Sequence, residues 1–202
     1  MKVYLIRHGE SEANARGIYQ GQKIDSPLSN LGLAQAKKLA NVLRDIKLNA
    51  IYSSDLLRAM QTAKEIARFQ RVLTIPDARL REFNLGDFSG IENKWGSFST
   101  YKTSEAERLG IRRDEVKTPN GESESDHVNR VGEFIQDFLK EECENVAVVG
   151  HAGTNKVFFG GIGYVPRDKM YELPQDNCCL NELEFDGTLW HVCRVNDVRH
   201  LG

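Results

Sequence analysis

Strand-like apolar runs alternate with amphipathic helical patterns along most of this chain, and that alternation restricts its fold more than any other feature. Val3 to Ile6 are residue types that suit a buried strand, and Ser29 or Asn30 can cap the helix that follows. The same order then recurs, with a strand in "AIYSS", a helix from Asp55 onward, a strand in "VLTIP", a helix from Ser123 to Lys140 and a strand in "NVAVVG". Since strands that are joined by helices pair in parallel, the sequence predicts an α/β fold with a mostly parallel sheet.

The segment at about 90–121 interrupts the alternation. Trp95, Phe98 and Tyr101 lie there among polar residues without a sustained period, and "TPNGES" ends the segment with turn-forming residues. We predict a small lid insertion in a single domain that spans residues 1–202, because a chain of this length suits one domain better than two. Two strands, "LNELEF" and "TLWHVCRV", close the chain, and the Asp186-Gly187 link predicts a two-residue hairpin turn between them.

The composition excludes some classes of partner. With 27 basic and 29 acidic residues, the chain has no overall positive charge that would attract nucleic acid or an anionic membrane. It has no apolar run long enough to span a bilayer and no signal-peptide pattern after Met1-Lys2, so we expect a cytoplasmic protein. The cysteines lack C-x-x-C spacing and are expected to be reduced thiols; they are Cys143, Cys178, Cys179 and Cys193.

Two of the predicted strands carry a histidine immediately after their carboxyl ends. "LIRHG" places Arg7 and His8 there, and "VVGHAG" places His151 there, each histidine with a glycine one or two residues beyond it. Ligands bind at the carboxyl edge of the strands in open α/β sheets, and glycine lets the backbone turn sharply and approach a ligand closely. We therefore expect both imidazoles at one edge of the sheet, in a ligand pocket.

A phosphoryl group fits this set of side chains best. Guanidinium groups are permanently charged and can bond phosphoryl oxygens in pairs, and a neutral imidazole nitrogen can attack phosphorus. The sequence contains no G-x-x-x-x-G-K-[ST] loop, no H-E-x-x-H motif and no aspartate-rich run that would hold Mg²⁺. We therefore expect phosphoryl transfer without a metal.

Six segments resemble the histidine phosphatase superfamily, in the branch that contains cofactor-dependent phosphoglycerate mutase, and they occur in the family's order. They are "LIRHGESEAN", "GQKIDSPLSNLGLAQA", "IYSSDLLRAMQTA", "LREFNLGDFSG", "PNGES" and "VVGHAG". The resemblance covers almost the whole chain and implies a three-layer α/β/α sandwich that acts on a small-molecule phosphate ester without a cofactor. Family members often form dimers, so the resemblance leaves a homodimer open.

The resemblance also implies roles for individual residues. His8 matches the nucleophile, which forms a phosphohistidine, and Arg7 and Arg58 match the two phosphate-binding arginines. His151 matches the second histidine, which stabilises charge on the transferring group, and Glu82 matches the position that protonates the leaving group. Further phosphate contacts, in the loop after the nucleophile, correspond to Asn14, Gln20 and Gly21.

Three functions stay open at this point. Hydrolysis of a phosphate monoester is favoured over a mutase reaction, because "GDFSGIENKWGS" stands where mutases usually carry a "GERRS"-like stretch. A pocket that only senses a phosphorylated ligand is the third function, although such a pocket would need neither the nucleophile nor the acid. The substrate itself is not specified by the sequence. The remaining histidines are expected to be ordinary structural residues; they are His127, His191 and His200.

Overall fold

A mixed sheet of six strands forms the centre of the protein, in a computed structural model that describes residues 1–91, 95–141 and 143–202. The strands are β1 (Lys2–Arg7), β2 (Ala50–Ser53), β3 (Thr74–Pro76), β4 (Asn145–Gly150), β5 (Leu180–Phe185) and β6 (Trp190–Asp197). Their order is β3-β2-β4-β1-β5-β6; the first four are parallel, β5 is antiparallel to β1, and β6 is antiparallel to β5. The predicted α/β fold with a mostly parallel sheet is confirmed.

Helices cover both faces of the sheet. They are α1 (Glu12–Ala15), α2 (Asn30–Val42), α3 (Leu57–Ala67), α4 (Trp95–Leu109), α5 (Glu124–Phe138) and α6 (Ala152–Gly161). Alternate residues of β1 serve opposite faces: Tyr4 and Ile6 pack in a core cluster with α2 and α3, whereas Val3 and Leu5 pack in a cluster with α5 and α6. Burial on both faces explains why β1 is continuously apolar, and it gives the three layers that the resemblance implies.

The helix that was predicted from Asp55 onward begins two residues later, at Leu57. Asp25 Oδ1 accepts a hydrogen bond from the Leu57 N–H at 2.7 Å, so a carboxylate from a distant loop caps this helix. Asp55 instead pairs with Arg81, and its two oxygens accept from the guanidinium at 2.6 and 2.5 Å. The local sequence could not indicate that Asp25 would cap this helix while Asp55 pairs with Arg81.

The segment at about 90–121, predicted to be a lid, contains a long helix where the sequence predicts an irregular chain. Phe98 and Lys102, one turn apart in α4, are both buried, and Lys102 Nζ donates to Glu124 Oε1 at 3.1 Å. The buried face therefore includes a charged residue, which hides the apolar period that indicates a helix. Tyr101 packs against Phe88, with ring centroids 5.2 Å apart, and the side chain of Trp95 lies outside the described residues.

The terminal hairpin turns one residue later than predicted. The Asp186 N–H donates to the Leu189 oxygen at 3.2 Å, so the two turn residues are Gly187 and Thr188. Gly187 has φ 104°, a conformation that glycine adopts without strain. In the parts of the chain that the structure describes, no helix has both the length and the apolar character needed to cross a membrane.

Candidate active site

The sheet brings the two strand-end histidines together. Arg7 pairs with Gly150 across β1 and β4, so the residues that follow, His8 and His151, leave the sheet at the same edge. Their ring centroids are 5.0 Å apart. A cleft of about 1160 Å³ opens at this edge, and its lining includes seven of the predicted site residues: Arg7, His8, Asn14, Gln20, Gly21, Arg58 and Glu82. His151 is the exception, since it is fully buried beside His8.

His8 presents one defined ring nitrogen to the cleft. Its Nδ1 lies 2.7 Å from the Gly9 carbonyl oxygen, which can only accept, so Nδ1 carries the hydrogen and Nε2 has a lone pair. The side chain is only 3% exposed. Burial lowers the pKa of His8 well below its usual range, and the charges of Arg58 and Arg7 act in the same direction. The imidazole is therefore neutral, as a nucleophile requires.

Two guanidinium groups lie close enough to His8 to affect its charge, that of Arg58 fully buried and that of Arg7 partly buried. Arg58 donates to the Gly21 oxygen at 2.9 Å and to the Ile24 oxygen at 3.2 Å, and Arg7 donates to the Gln175 oxygen at 2.5 Å. The Nε atoms of both arginines are buried and have no hydrogen-bond partner among the described residues. Such donors are costly to leave unpaired, and an anion in the cleft would satisfy them.

His151 contacts His8 edge to face and occupies the N-cap position of α6. Its Nε2 lies 2.9 Å from Ser54 Oγ, and its buried Nδ1 has no partner among the described residues. Burial lowers the pKa of His151 well below its usual range, and Arg58 and His8 contribute in the same direction. A second neutral imidazole with a free ring nitrogen therefore lies beside the first.

Glu82 faces the cleft from the loop between β3 and α4. Its Oε1 accepts from the Phe83 N–H at 2.8 Å, and its Oε2 accepts from the Gly153 N–H at 3.1 Å. Gly153 can make this bond because it has no side chain; a Cβ at this position would lie 2.4 Å from Glu82 Oε1. The glycine two residues after His151 thus admits a carboxylate to the site.

The loop after His8 is held by its own polar side chains. Asn14 Oδ1 accepts from the Ser11 N–H at 3.2 Å in a capping box of α1, and Gln20 Nε2 donates to Ser11 Oγ at 2.7 Å. Gly21 has φ 54°, and its oxygen accepts from Arg58. All three predicted loop residues line the cleft, but in this structure Asn14 and Gln20 also hold the loop together.

The structure adds contacts that the sequence analysis did not predict. Behind the site, the Asn177 side chain and the Cys178 N–H both donate to the His8 oxygen at 3.2 Å. The lining of the cleft also includes charged residues and a tyrosine that the sequence analysis did not name: Arg113, Asp114, Glu124, Lys156, Arg167 and Tyr171. One signal could have identified Lys156, namely its place three residues after Gly153 on the helix that follows His151.

The remaining histidines differ in environment. His191 is exposed and its Nε2 lies 2.9 Å from Asp186 Oδ2, and His200 is half-buried. His127 is fully buried, and its Nε2 lies 3.2 Å from Thr154 Oγ1, which donates to the Arg81 oxygen. His127 therefore supports the backbone next to Glu82, and within the described ranges no group of histidine, cysteine and carboxylate residues could hold a metal ion.

This arrangement can bind and attack a tetrahedral dianion. The guanidinium groups of Arg7 and Arg58 supply positive charge and free donors, His8 supplies a neutral nucleophilic nitrogen, and Glu82 supplies a carboxyl group at the cleft surface. These are the components of metal-free phosphoryl transfer.

Comparisons with known proteins agree with this chemistry. The chain is 31% identical to phosphoserine phosphatase 1 of Hydrogenobacter thermophilus over 205 residues, covering 100% of this chain and 95% of that protein. It is 30% identical to a protein of Erwinia tasmaniensis named probable phosphoglycerate mutase GpmB over 207 residues, with coverage of 100% and 95%. The structure of a mycobacterial glucosyl-3-phosphoglycerate phosphatase, solved with VO3, superposes with a TM-score of 0.80 at 28% identity, covering 96% of this chain and 98% of the other. The profile of the histidine phosphatase superfamily, branch 1, matches residues 3–198, and the chain belongs to that family.

Proposed function

We propose that this protein is a phosphomonoesterase that hydrolyses small phosphorylated metabolites through a phosphohistidine on Nε2 of His8. One observation carries the proposal: the hydrogen bond from His8 Nδ1 to the Gly9 oxygen leaves Nε2 unprotonated in a cleft that Arg7 and Arg58 also line. The names of relatives, which include phosphatases of small phosphate esters, support the same reaction.

In the first step, the lone pair of His8 Nε2 attacks phosphorus and the bond between phosphorus and the ester oxygen breaks. Glu82, in its acid form, gives a proton to the departing oxygen, so that an alcohol leaves and phosphohistidine remains. The hydrogen bonds that Glu82 accepts from Phe83 and Gly153 leave each carboxyl oxygen a second lone pair, which can carry this proton.

In the second step, a water molecule attacks the phosphohistidine and gives a proton to the ionised Glu82. The bond between phosphorus and Nε2 breaks, inorganic phosphate leaves, and both residues return to their starting states. Throughout, Arg7 and Arg58 hold the phosphoryl oxygens. We assign a third donor to His151: Ser54 Oγ can give its hydrogen to Nε2, so that Nδ1 carries the hydrogen that bonds the phosphoryl group.

A mutase is the second candidate, because some relatives are named phosphoglycerate mutase. A mutase must protect its phosphohistidine from water. Residues 199–201 pack against α2, where Lys38 Nζ donates to the Leu201 oxygen at 2.5 Å, and they do not line the cleft. This segment therefore does not shield His8, and the phosphatase names among the relatives favour hydrolysis.

The deciding experiment measures products and the covalent intermediate together. With 3-phosphoglycerate, we expect inorganic phosphate in solution, whereas 2-phosphoglycerate without phosphate release would indicate a mutase. With a ³²P-labelled aryl phosphate, the wild-type protein should retain acid-labile label on His8. His8→Ala should lose both label and turnover, and His191→Ala, on the surface, should keep both. A His8→Ala protein with full activity contradicts the proposal.

The cytoplasmic location and the homodimer stay predictions. Cell fractionation tests the first, and light scattering in solution tests the second. Sensing without catalysis is the outcome if the wild-type protein binds phosphate esters but forms neither label nor phosphate.

A further inference from the structure

Lys156 is a cation of the cleft that the proposed reaction does not use. It is partly buried on α6, and its Nζ donates to the Tyr171 oxygen at 2.9 Å. Lysine has three donors, and this bond uses one of them. Among the described residues, no carboxylate forms an ion pair with Lys156.

Other cations near the cleft do have carboxylate partners. Arg113 lies 3.4 Å from Glu124, and Arg167 lies 3.9 Å from Asp114. Lys102, on the buried face of α4, lies 3.1 Å from the same Glu124. Removing an ammonium group from water without a counter-charge is unfavourable, so a partner for Lys156 is expected to come from outside the chain.

The electrostatic environment of Lys156 supports this view. Burial lowers its pKa; the nearby charge of Arg7 acts in the same direction, and Glu82 opposes it. A second ligand anion beside Lys156 would offset both unfavourable contributions.

The position of Lys156 indicates which part of a substrate it would meet. On the first turns of α6, the Gly153 N–H binds Glu82, and Lys156 follows three residues later on the same side of the helix. We have assigned Glu82 to the oxygen of the leaving alcohol. Lys156 therefore lies on the leaving-group side of the cleft.

We propose that Lys156 is a specificity-determining residue that binds a second anionic group, carried by the alcohol part of the substrate a few bonds from the ester oxygen. The substrate class is then the phosphate monoesters whose alcohol part carries a second anion, such as those of hydroxy acids and hydroxy amino acids. This inference rests on the proposed phosphatase function, and a carboxylate or a second phosphate could supply the anion.

Matched substrates isolate the second anion. O-Phosphoserine and O-phosphoethanolamine differ only by a carboxylate, and 3-phosphoglycerate and glycerol 3-phosphate differ by a carboxylate against a hydroxymethyl group. Propane-1,3-diol bisphosphate and its monophosphate form the corresponding phosphate pair. We expect the wild-type kcat/KM to be about ten- to hundredfold higher for the anionic member of at least one carboxylate pair, the usual range for a charge-assisted hydrogen bond.

Two variants assign that preference to Lys156. Lys156→Met keeps the aliphatic stem and removes the ammonium group, so the ratio of kcat/KM within the pair should fall to near unity, chiefly through KM. Lys156→Arg should keep most of the ratio. Lys64→Met, an exposed lysine on α3, is the matched control and should keep both the ratio and the activity. Thermal unfolding of each variant shows that the fold is retained.

Each outcome decides one point. A preference confined to the bisphosphate pair identifies a second phosphate as the anion. Equal kcat/KM within all three pairs in the wild-type protein, or a preference that Lys156→Met retains, overturns the role of Lys156 and leaves the phosphatase function intact. Absence of phosphate release from every ester, with no label on His8, instead removes the proposed function itself.

Discussion

Arg58 shows how strongly single residues of the site depend on their neighbours. Its side chain is 1% exposed, yet within 4 Å its partners are two backbone oxygens and, at 3.7 Å, the carboxylate of Asp25. Burial lowers the pKa of Arg58 to about 10, while Glu82 and Asp25 oppose the change, so the guanidinium stays charged at neutral pH. A buried guanidinium that stays protonated can bind an anion.

Replacing Arg58 by lysine tests whether its planar fork matters as well as its charge. A lysine retains the charge but cannot bond two backbone oxygens and a phosphoryl group with one rigid set of donors. We expect Arg58→Lys to lower kcat/KM by about 10²-fold. Arg68→Lys, at the exposed end of the same helix, is the control and should leave steady-state kinetics unchanged. Arg58→Lys with kinetics close to wild type would show that charge alone is sufficient.

At this scale the sequence predicted most of the site. Arg7, His8 and His151 could be placed together because each adjoins an apolar run that reads as a strand. Lys156 was missed although its place three residues after Gly153 gave one signal, because its distinguishing property, a missing carboxylate partner, depends on contacts across the chain that a local pattern does not show. Asp25 as the cap of α3 was missed for the same reason.

At the scale of elements, Arg130 on α5 holds the loop that carries Glu82. Its guanidinium donates to the backbone oxygens of Arg79, Arg81 and Glu82 at 2.7 to 2.9 Å and pairs with Glu122 at 2.7 Å. Glu122 Oε1 also accepts from the Asn84 N–H at 2.8 Å. The backbone on both sides of Glu82 is therefore fixed to α5, and this should set the position of the carboxyl group.

Arg130→Gln should consequently impair proton donation more than phosphoryl binding. For esters of ordinary alcohols, which need a proton on the leaving oxygen, we expect kcat to fall by more than about tenfold. For 2,4-dinitrophenyl phosphate, whose leaving group needs no proton, the loss should be much smaller. The control is Arg79→Gln, on the same loop as Glu82, which removes the ion pairs of Arg79 with Asp77 and with Asp137 of α5. Equal losses for both kinds of ester would rule out a positioning role for Arg130.

A second contact between elements joins α2 to the loop after His8. A Cβ on Gly32, in the first turn of α2, would lie 1.9 Å from the Glu10 oxygen, and a Cβ on Gly9 would lie 2.6 Å from the Gly32 oxygen. Helix propensity alone would favour alanine at Gly32 by about 1 kcal/mol. The steric conflict between the two backbone segments outweighs that gain, because neither segment can move without displacing His8.

We therefore expect Gly32→Ala to lower both the unfolding free energy, by about 1 to 3 kcal/mol, and the activity. Gly132→Ala on α5 is a matched control, because a Cβ there meets no atom within 4 Å. That variant should gain up to about 1 kcal/mol in urea unfolding and keep its activity. A stabilised Gly32→Ala protein would mean that the two backbones are not in contact in solution.

Among the elements, the sequence indicated those with a clear apolar period and missed the one without it. Ser29, one of the two caps predicted for α2, is its N-cap, and Ser123, where the sequence predicts the start of α5, is the N-cap of that helix. The helix α4 was not predicted, because Lys102 occupies an inward position that the pattern requires to be apolar. The ion pair with Glu124 allows a lysine at that buried position, and the pair forms only when α5 lies beside α4.

For the whole molecule, the sandwich encloses titratable groups that the unfolded chain would expose. His8, His127 and His151 are buried, and burial is the main cause that lowers the pKa of each well below its usual range. Arg58 and Arg7 lower the pKa of His8 further, and Arg130 does so for His127. All three imidazoles are thus neutral in the folded protein at a pH where the unfolded chain already binds protons.

The sign of the resulting pH dependence follows directly. Below about pH 6.5, these histidines bind protons in the unfolded chain but not in the folded protein. The unfolding free energy therefore falls as the pH falls toward the pKa values of the folded state. Each histidine contributes up to about 1.4 kcal/mol per pH unit, and paired carboxylates add their own loss only below about pH 5. Urea unfolding between about pH 7.5 and about pH 5.5 should therefore show a steep loss of stability. His127→Gln should reduce that slope by up to about a third, because one of three protons is no longer taken up. A stability that stays constant or rises over this interval would mean that the three imidazoles are protonated inside the folded protein.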